Sequence, residues 1–364
     1  MKRKCKIGII GFLIVFLLMS ILCWIKPAET VSVSERRQLQ QFPQISVESV
    51  TSGTFMTEFE AYVSDQFPFR DTFRKLKSLV ATTVLGQQDD QGIYVENGNA
   101  VAMEYPLDEK SLEIVKKKIE KIQAKYLKDS DCKVYFSIIP DKNYYYSKEH
   151  DVLAMDYEYL FSYFRKNLKG ISYIDITNTL SLEDYYRTDS HWRQENLSQT
   201  ADKLAKEMGF TLEATYEKIQ VELPFYGVYA NQVGTSLEPD MITYLTNQVL
   251  ESCIVYDYEH ETETTVYDLD KLQGDDLYEM YLSGPISLMT IENPMAETDK
   301  ELILFRDSFG SSIAPLLIEG YQKITLVDIR YIQSDLLDRW ITFENQDVLF
   351  LYQTSVLNHG EIFK

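Results

Sequence analysis

Two short motifs constrain this chain more than anything else in it. The apolar run Leu302-Ile303-Leu304-Phe305 leads into Arg306-Asp307-Ser308-Phe309-Gly310, and an amphipathic stretch follows. That pattern predicts a strand turning sharply into a helix at a serine. Such a turn projects the hydroxyl from the C-terminal end of a sheet and points the helix N-terminus at it. Upstream stands Thr188-Asp189-Ser190-His191-Trp192. Of the four histidines, only His191 has a carboxylate two residues before it and a helical pattern behind it.

Together the motifs supply the parts of an acyl-transfer triad: Ser308 as nucleophile, His191 as general base and Asp189 as the acid that orients it. On an extended or turn backbone, residues two apart point to the same side, so the Asp189 carboxylate can reach the His191 ring and fix its tautomer. The same residues also suit a blander role, because Thr188, Asp189, Ser190 and Ser308 are all good helix caps. The two motifs jointly complete Asp-His-Ser on a sheet fold, which favours catalysis. The backbone N–H of Ser308 is a candidate oxyanion donor. Tyr331, Asn231 and Arg306 are further candidates for the oxyanion or the substrate. Asp307 reads as a local turn-stabilising carboxylate, Lys142 as a solvated turn residue, and His150, His260 and His359 as surface residues.

From Gly92 onward, the chain alternates strand and helix patterns. Helices are expected over 109–127, 157–168, 192–208, 309–319 and 334–342, and strands over 132–139, 171–176, 301–306, 323–329 and 348–352. Nearly continuous apolar strands separated by helices imply an α/β fold with a parallel sheet covered on both faces. The stretch 210–300 carries only short strand-like pieces and reads as an insertion. The expected organisation is a basic tip (1–6), an apolar segment (7–25), a linker and helical extension (26–85), and one domain (86–364).

The uncharged run Ile7 to Ile25, preceded by Lys2, Arg3, Lys4 and Lys6, is nearly long enough to cross a ~30 Å hydrocarbon core. The basic cluster places the N-terminus in the cytoplasm and the remainder outside. The rival reading is a cleaved signal peptide, but its apolar core would be unusually long and no clean small-x-small site follows. A single-pass membrane anchor is therefore expected. A net charge of −20 makes nucleic acid a poor partner. The four cysteines show no metal-ligand spacing, so neither metal nor cofactor is expected. Cys132, in an apolar strand pattern, reads as a buried thiol rather than half of a bridge to Cys253.

Asp189-Ser190-His191-Trp192 followed by Arg306-Asp307-Ser308-Phe309-Gly310-Ser311-Ser312 resembles the DHHW family of exported bacterial proteins, which is related to the alginate O-acetyltransferases. The segments Asp65 to Asp71 and Pro140-Asp141-Lys142 extend the likeness from about residue 34 to the C-terminus. The resemblance implies an SGNH-hydrolase-like core with Ser308, His191 and Asp189 as its triad. It also implies an acyl donor supplied across the membrane by a membrane-bound O-acyltransferase partner. Arg306 stands where SGNH enzymes usually have glycine, and the Asp-x-His motif precedes the serine instead of following it. The expected activity is extracytoplasmic O-acylation, most simply O-acetylation, of a cell-surface or secreted polysaccharide. A carbohydrate esterase and a non-catalytic glycan-binding or scaffold component of an export complex are the alternatives. Twenty-six tyrosines offer stacking faces for sugars.

Overall fold

The structure is a computed structural model that describes residues 2–32, 37–87, 89–90, 92–230, 232–233 and 237–364. The chain divides into two compact units. One comprises residues 1–91 with 230–236, and the other 92–229 with 237–364.

The larger unit is built on one eight-stranded sheet. Its strands are β1 (Lys133–Ile139), β2 (Ser172–Ile174), β3 (Ile254–Asp257), β4 (Thr262–Thr264), β5 (Leu288–Glu292), β6 (Glu301–Arg306), β7 (Lys323–Val327) and β8 (Asp347–Gln353), in the spatial order β4-β3-β5-β7-β6-β8-β1-β2. The strands from β7 through β6, β8 and β1 to β2 run parallel. Strands β5, β3 and β4 add an antiparallel edge beside β7. The sheet is therefore mixed, not parallel throughout as the sequence pattern suggested. The cause lies in the stretch read as an insertion: residues 254–292 supply those three edge strands and join the main sheet.

Neighbouring residues on the central strands feed opposite cores. Leu302 and Leu304 pack with Leu349 and Leu351 on one face. Ile303 and Phe305 pack with Val348 and Phe350 on the other. Both faces are buried, which explains why these strands lack polar alternation. The principal helices are α1 (Glu109–Ile122), α2 (Lys142–Glu149), α3 (Tyr157–Asn167), α4 (Ser198–Met208) and α5 (Gly310–Leu317). Helix α1 starts at Asp108, whose carboxylate accepts from the N–H groups of Lys110 and Ser111, and it buries Leu112, Val115, Ile119 and Ile122. Helices α4 and α5 cover the first face, and α1 and α3 the second. The helix expected behind His191 begins only at Ser198, and 334–339 form 3-10 turns. Cys132 and Cys253 are both free thiols.

In the smaller unit, Lys2–Ile25 is one continuous helix. Its apolar side chains lie uncovered: Ile9, Phe12, Leu13, Phe16 and Leu17 are each more than half exposed. Among the described residues no helix is long and apolar enough to cross a membrane. Further on, Thr54–Asp65 and Arg70–Leu79 are helical.

Candidate active site

The strand-to-helix turn expected around Ser308 is present. Strand β6 ends at Arg306 and α5 begins at Gly310, with Ser308 half-buried in the turn between them. Two carboxylate bonds set that turn. Asp307 accepts from the N–H of Phe309 at 3.0 Å and from the N–H of Gln353, at the end of β8, at 2.7 Å. Asp307 is thus a turn-stabilising group, and burial pushes its carboxyl above its ordinary value. Gly310 is required sterically. A Cβ there would lie 2.5 Å from Cβ of Arg306.

His191 Nε2 lies 2.7 Å from Ser308 Oγ, and His191 Nδ1 lies 2.6 Å from Asp189 Oδ1. The three residues form one hydrogen-bonded chain. Asp189 is fully buried. Its Oδ1 also accepts from the His191 N–H at 2.9 Å, and its Oδ2 accepts from the Val228 N–H at 2.8 Å. These bonds stabilise the ionised form, leave Nδ1 as the donor to Asp189, and leave Nε2 free to accept the Ser308 proton. The His191 ring stacks on Tyr278 with centroids 3.9 Å apart and planes 13° apart. The Tyr278 hydroxyl and Trp192 Nε1 both bond to Ser312 Oγ on α5, at 2.8 and 2.7 Å. The histidine is thereby tied to the helix that follows its serine.

The loop carrying Asp189 is held from three sides. The N–H of Tyr186 donates to the His191 carbonyl at 3.0 Å and closes the loop. The buried carboxylate of Asp240 accepts from Arg187 N, Thr188 N, Thr188 Oγ1 and the Arg193 guanidinium. Inside the loop sits Lys142, which is 3% exposed. Its ammonium donates to the carbonyls of Tyr186, Arg187 and Asp189 at 2.8, 3.2 and 3.2 Å, and to that of Ala100. Burial pushes this ammonium down to about 7, while the Asp189 and Asp240 carboxylates oppose the shift. Lys142 is not the solvated turn residue that its sequence context suggested. The preceding Asp141 caps α2 by accepting from Tyr144 N, and that cap directs the Lys142 side chain inward.

The remaining expectations fare differently. Arg306 is fully buried. Its guanidinium lies 3.8 Å from the Asp328 carboxylate and donates to the Ile286 carbonyl at 3.3 Å. It braces the turn from beneath and does not face a substrate. Tyr331 is 49% exposed, and the Arg330 guanidinium lies 5.4 Å from its ring centroid. Asn231 lies outside the described residues. His150, His260 and His359 pair with Glu96, Asp257 and Glu104, away from the triad chain. Sequence reasoning missed Tyr278, Gln194 and Asp240. Gln194 bridges the two halves of the site, donating to the Ser312 carbonyl at 2.8 Å and accepting from Leu245 N at 2.7 Å. Tyr278 and Asp240 fall within 210–300, where no period marked them.

No family model and no curated protein matches this chain. Solved structures do match it. A DHHW family protein from Eubacterium siraeum aligns over 75% of this chain and 95% of its own, with a TM-score of 0.62 at 19% identity. PatB1 from Bacillus cereus aligns over 75% of this chain and 98% of its own, with a TM-score of 0.60 at 18% identity. A second structure of PatB1, carrying a sulfonyl adduct, aligns over 73% of this chain and 95% of its own, with a TM-score of 0.59 at 17% identity. The larger part of this chain therefore has the fold of the DHHW family protein and of PatB1.

Proposed function

We propose that this protein is an extracytoplasmic O-acyltransferase that moves an acetyl group onto a hydroxyl of a cell-surface or secreted polysaccharide. The observation that carries the reading is the unbroken Asp189–His191–Ser308 chain, with contacts of 2.6 and 2.7 Å. A scaffold protein would have no need to keep it.

In the first half-reaction, His191 Nε2 takes the proton of Ser308 as Oγ attacks the donor's acyl carbonyl. The tetrahedral intermediate collapses, the donor's leaving oxygen takes that proton from His191, and an acyl-Ser308 ester remains. In the second, His191 takes the proton of a sugar hydroxyl whose oxygen attacks the ester. Collapse releases the O-acyl sugar and returns the proton to Ser308. The buried Asp189 stabilises the imidazolium formed in each half. Ser308 lies just ahead of α5, whose N-terminal dipole favours the oxyanion.

Membrane attachment through Lys2–Ile25 belongs to the same proposal. Exposed Ile, Phe and Leu along that helix need an apolar surrounding, and a tethered acceptor suits a donor delivered by a membrane-bound O-acyltransferase partner. The test incubates the full-length protein with p-nitrophenyl acetate and maps the product by mass spectrometry. An acetyl adduct on Ser308 is expected, and the sulfonyl adduct of PatB1 suggests a sulfonyl fluoride as a second label for the same residue. Adding an oligosaccharide should accelerate donor consumption and yield acetylated sugar. Fast acetate release with no acetylated sugar would make the protein an esterase. Undiminished turnover in Ser308→Ala would exclude the triad altogether.

A further inference from the structure

A polar pocket lies on the face of the sheet that α1 and α3 cover elsewhere, where the antiparallel edge meets the parallel strands. Its volume is about 280 Å³. Strand register builds its floor in rows. Thr290 on β5 lies beside Thr325 on β7, which lies beside Ile303 on β6. In the next row Lys323 on β7 lies beside Glu301 on β6, which lies beside Gln346 just ahead of β8. Alternation along each strand puts both rows on the same face. The segment Trp340 to Glu344 forms a wall, and Tyr258, following β3, lines the pocket as well.

The chemistry of this lining is specific. Thr290 and Thr325 are 5% and 6% exposed, and among the described residues neither hydroxyl has a protein hydrogen-bond partner. Cross-strand neighbours stand about 5 Å apart, so the two threonines stand side by side in the pocket lining. Next to them, Lys323 and Glu301 form an ion pair at 2.8 Å, and Gln346 Nε2 donates to the other Glu301 oxygen at 3.4 Å. Trp340 and Tyr258 remain 45% and 37% exposed, so aromatic surface stands beside the hydrogen-bonding floor. Two neighbouring threonines, a carboxylate, an ammonium and aromatic faces in so small a volume match a ring with several hydroxyls and apolar C–H faces.

We propose that this pocket binds one neutral pyranose unit of a polysaccharide, at a site separate from the catalytic serine. Neutrality follows from charge: the pocket holds Glu301 and Glu344 against Lys323, in a chain of net charge −20. Ile303 lies three residues before the end of β6 at Arg306, about 10 Å along the strand, and Ser308 lies in the turn beyond that end. A sugar held there is not the one whose hydroxyl reacts. The pocket holds a long polymer at a second point, which raises the local concentration of acceptor units at the first. The role as a second holding point rests on the proposed function, whereas binding itself is measurable whether or not Ser308 acts.

The test is calorimetric titration of the full-length protein with cellotetraose, mannotetraose, chitotetraose and, as the acidic comparison, tetragalacturonate. Each is also titrated into Trp340→Ala, Thr325→Val and Ser308→Ala. At least one neutral tetrasaccharide should bind. Affinity should fall tenfold or more in Trp340→Ala and about threefold in Thr325→Val, and should stay unchanged in Ser308→Ala. Hydrolysis of p-nitrophenyl acetate should be the same in Trp340→Ala as in the parent, which shows that the variant is folded. Absence of binding by all three neutral sugars would overturn the proposal. So would preference for tetragalacturonate, or full affinity in both Trp340→Ala and Thr325→Val.

Discussion

Lys142 shows how one buried charge can organise the loop that carries Asp189 and His191. Its ammonium is the common donor to carbonyls of Tyr186, Arg187 and Asp189, so removing it strands several buried acceptors at once. Each such acceptor costs on the order of 1 kcal/mol or more. Lys142→Met is expected to lose about 3 kcal/mol of stability and at least tenfold in turnover. The discriminating measurement is the pH profile of turnover. The wild type should lose activity as the ammonium deprotonates above about 7, and Lys142→Met should lack that limb. Glu104 offers a second pH readout. Burial, then the Asp141 carboxylate, raises its carboxyl from 4.5 to about 7. The folded state therefore holds a proton that the unfolded state has released, and stability is fully present below 4.5 and is lost as pH rises to about 7. Between pH 5 and pH 8, the melting temperature of Glu104→Gln should rise relative to wild type. An unchanged difference would refute that assignment.

At the scale of elements, the site depends on one loop lying flat against another. The segment Phe225 to Tyr229 runs beside Thr188 and Asp189, with Gly227 N donating to Thr188 Oγ1 and Tyr229 N to the Thr188 carbonyl, both at 3.0 Å. A Cβ at Gly227 would lie 2.3 Å from Cβ of Asp189, so Gly227→Ala must push the two loops apart. Displacing Asp189 by a fraction of an ångström loosens the hold on His191, and misplacements near 1 Å can cost about a hundredfold in rate. We expect kcat to fall by at least tenfold with a smaller change in KM. Full activity in Gly227→Ala would show that the loop contact is dispensable. This contact also marks where the sequence stopped being legible. Strands β1, β6, β7 and β8 were readable because burial on both faces writes itself as apolar runs, and Asp189, His191 and Ser308 because the chemistry restricts residue type. Strands β3 and β4 span only Ile254–Asp257 and Thr262–Thr264, too short for an alternation to register. Tyr278 and Asp240 act through contacts with distant segments, so nothing local distinguishes them from other tyrosines and aspartates. Lys142 misled for the opposite reason: a lysine after Pro-Asp looks solvated, and only the Asp141 cap, visible in three dimensions, turns it inward.

For the whole molecule, the remaining issue is where it works, and the smaller unit bears on it. Every side chain from Gly8 to Leu18 is exposed, with Phe12 at 69%. One of the few polar side chains in that helix, Ser20, donates from its hydroxyl to the Phe16 carbonyl at 2.9 Å, which leaves it satisfied in an apolar surrounding. Lys2, Arg3, Lys4 and Lys6 would hold the N-terminus on the cytoplasmic side. We therefore expect the full-length protein to sediment with membranes and to resist extraction by carbonate. Protease added outside intact cells or protoplasts should digest the chain from Lys26 onward and leave a membrane-held N-terminal fragment. That outcome would place Ser308 outside, where a polysaccharide can reach it and a membrane partner can deliver the acyl group. A mature chain starting near Ala28 in the culture fluid would identify residues 7–25 as a cleaved signal. The catalytic assignment would survive that result, but an acyl donor confined to the membrane would lose its rationale.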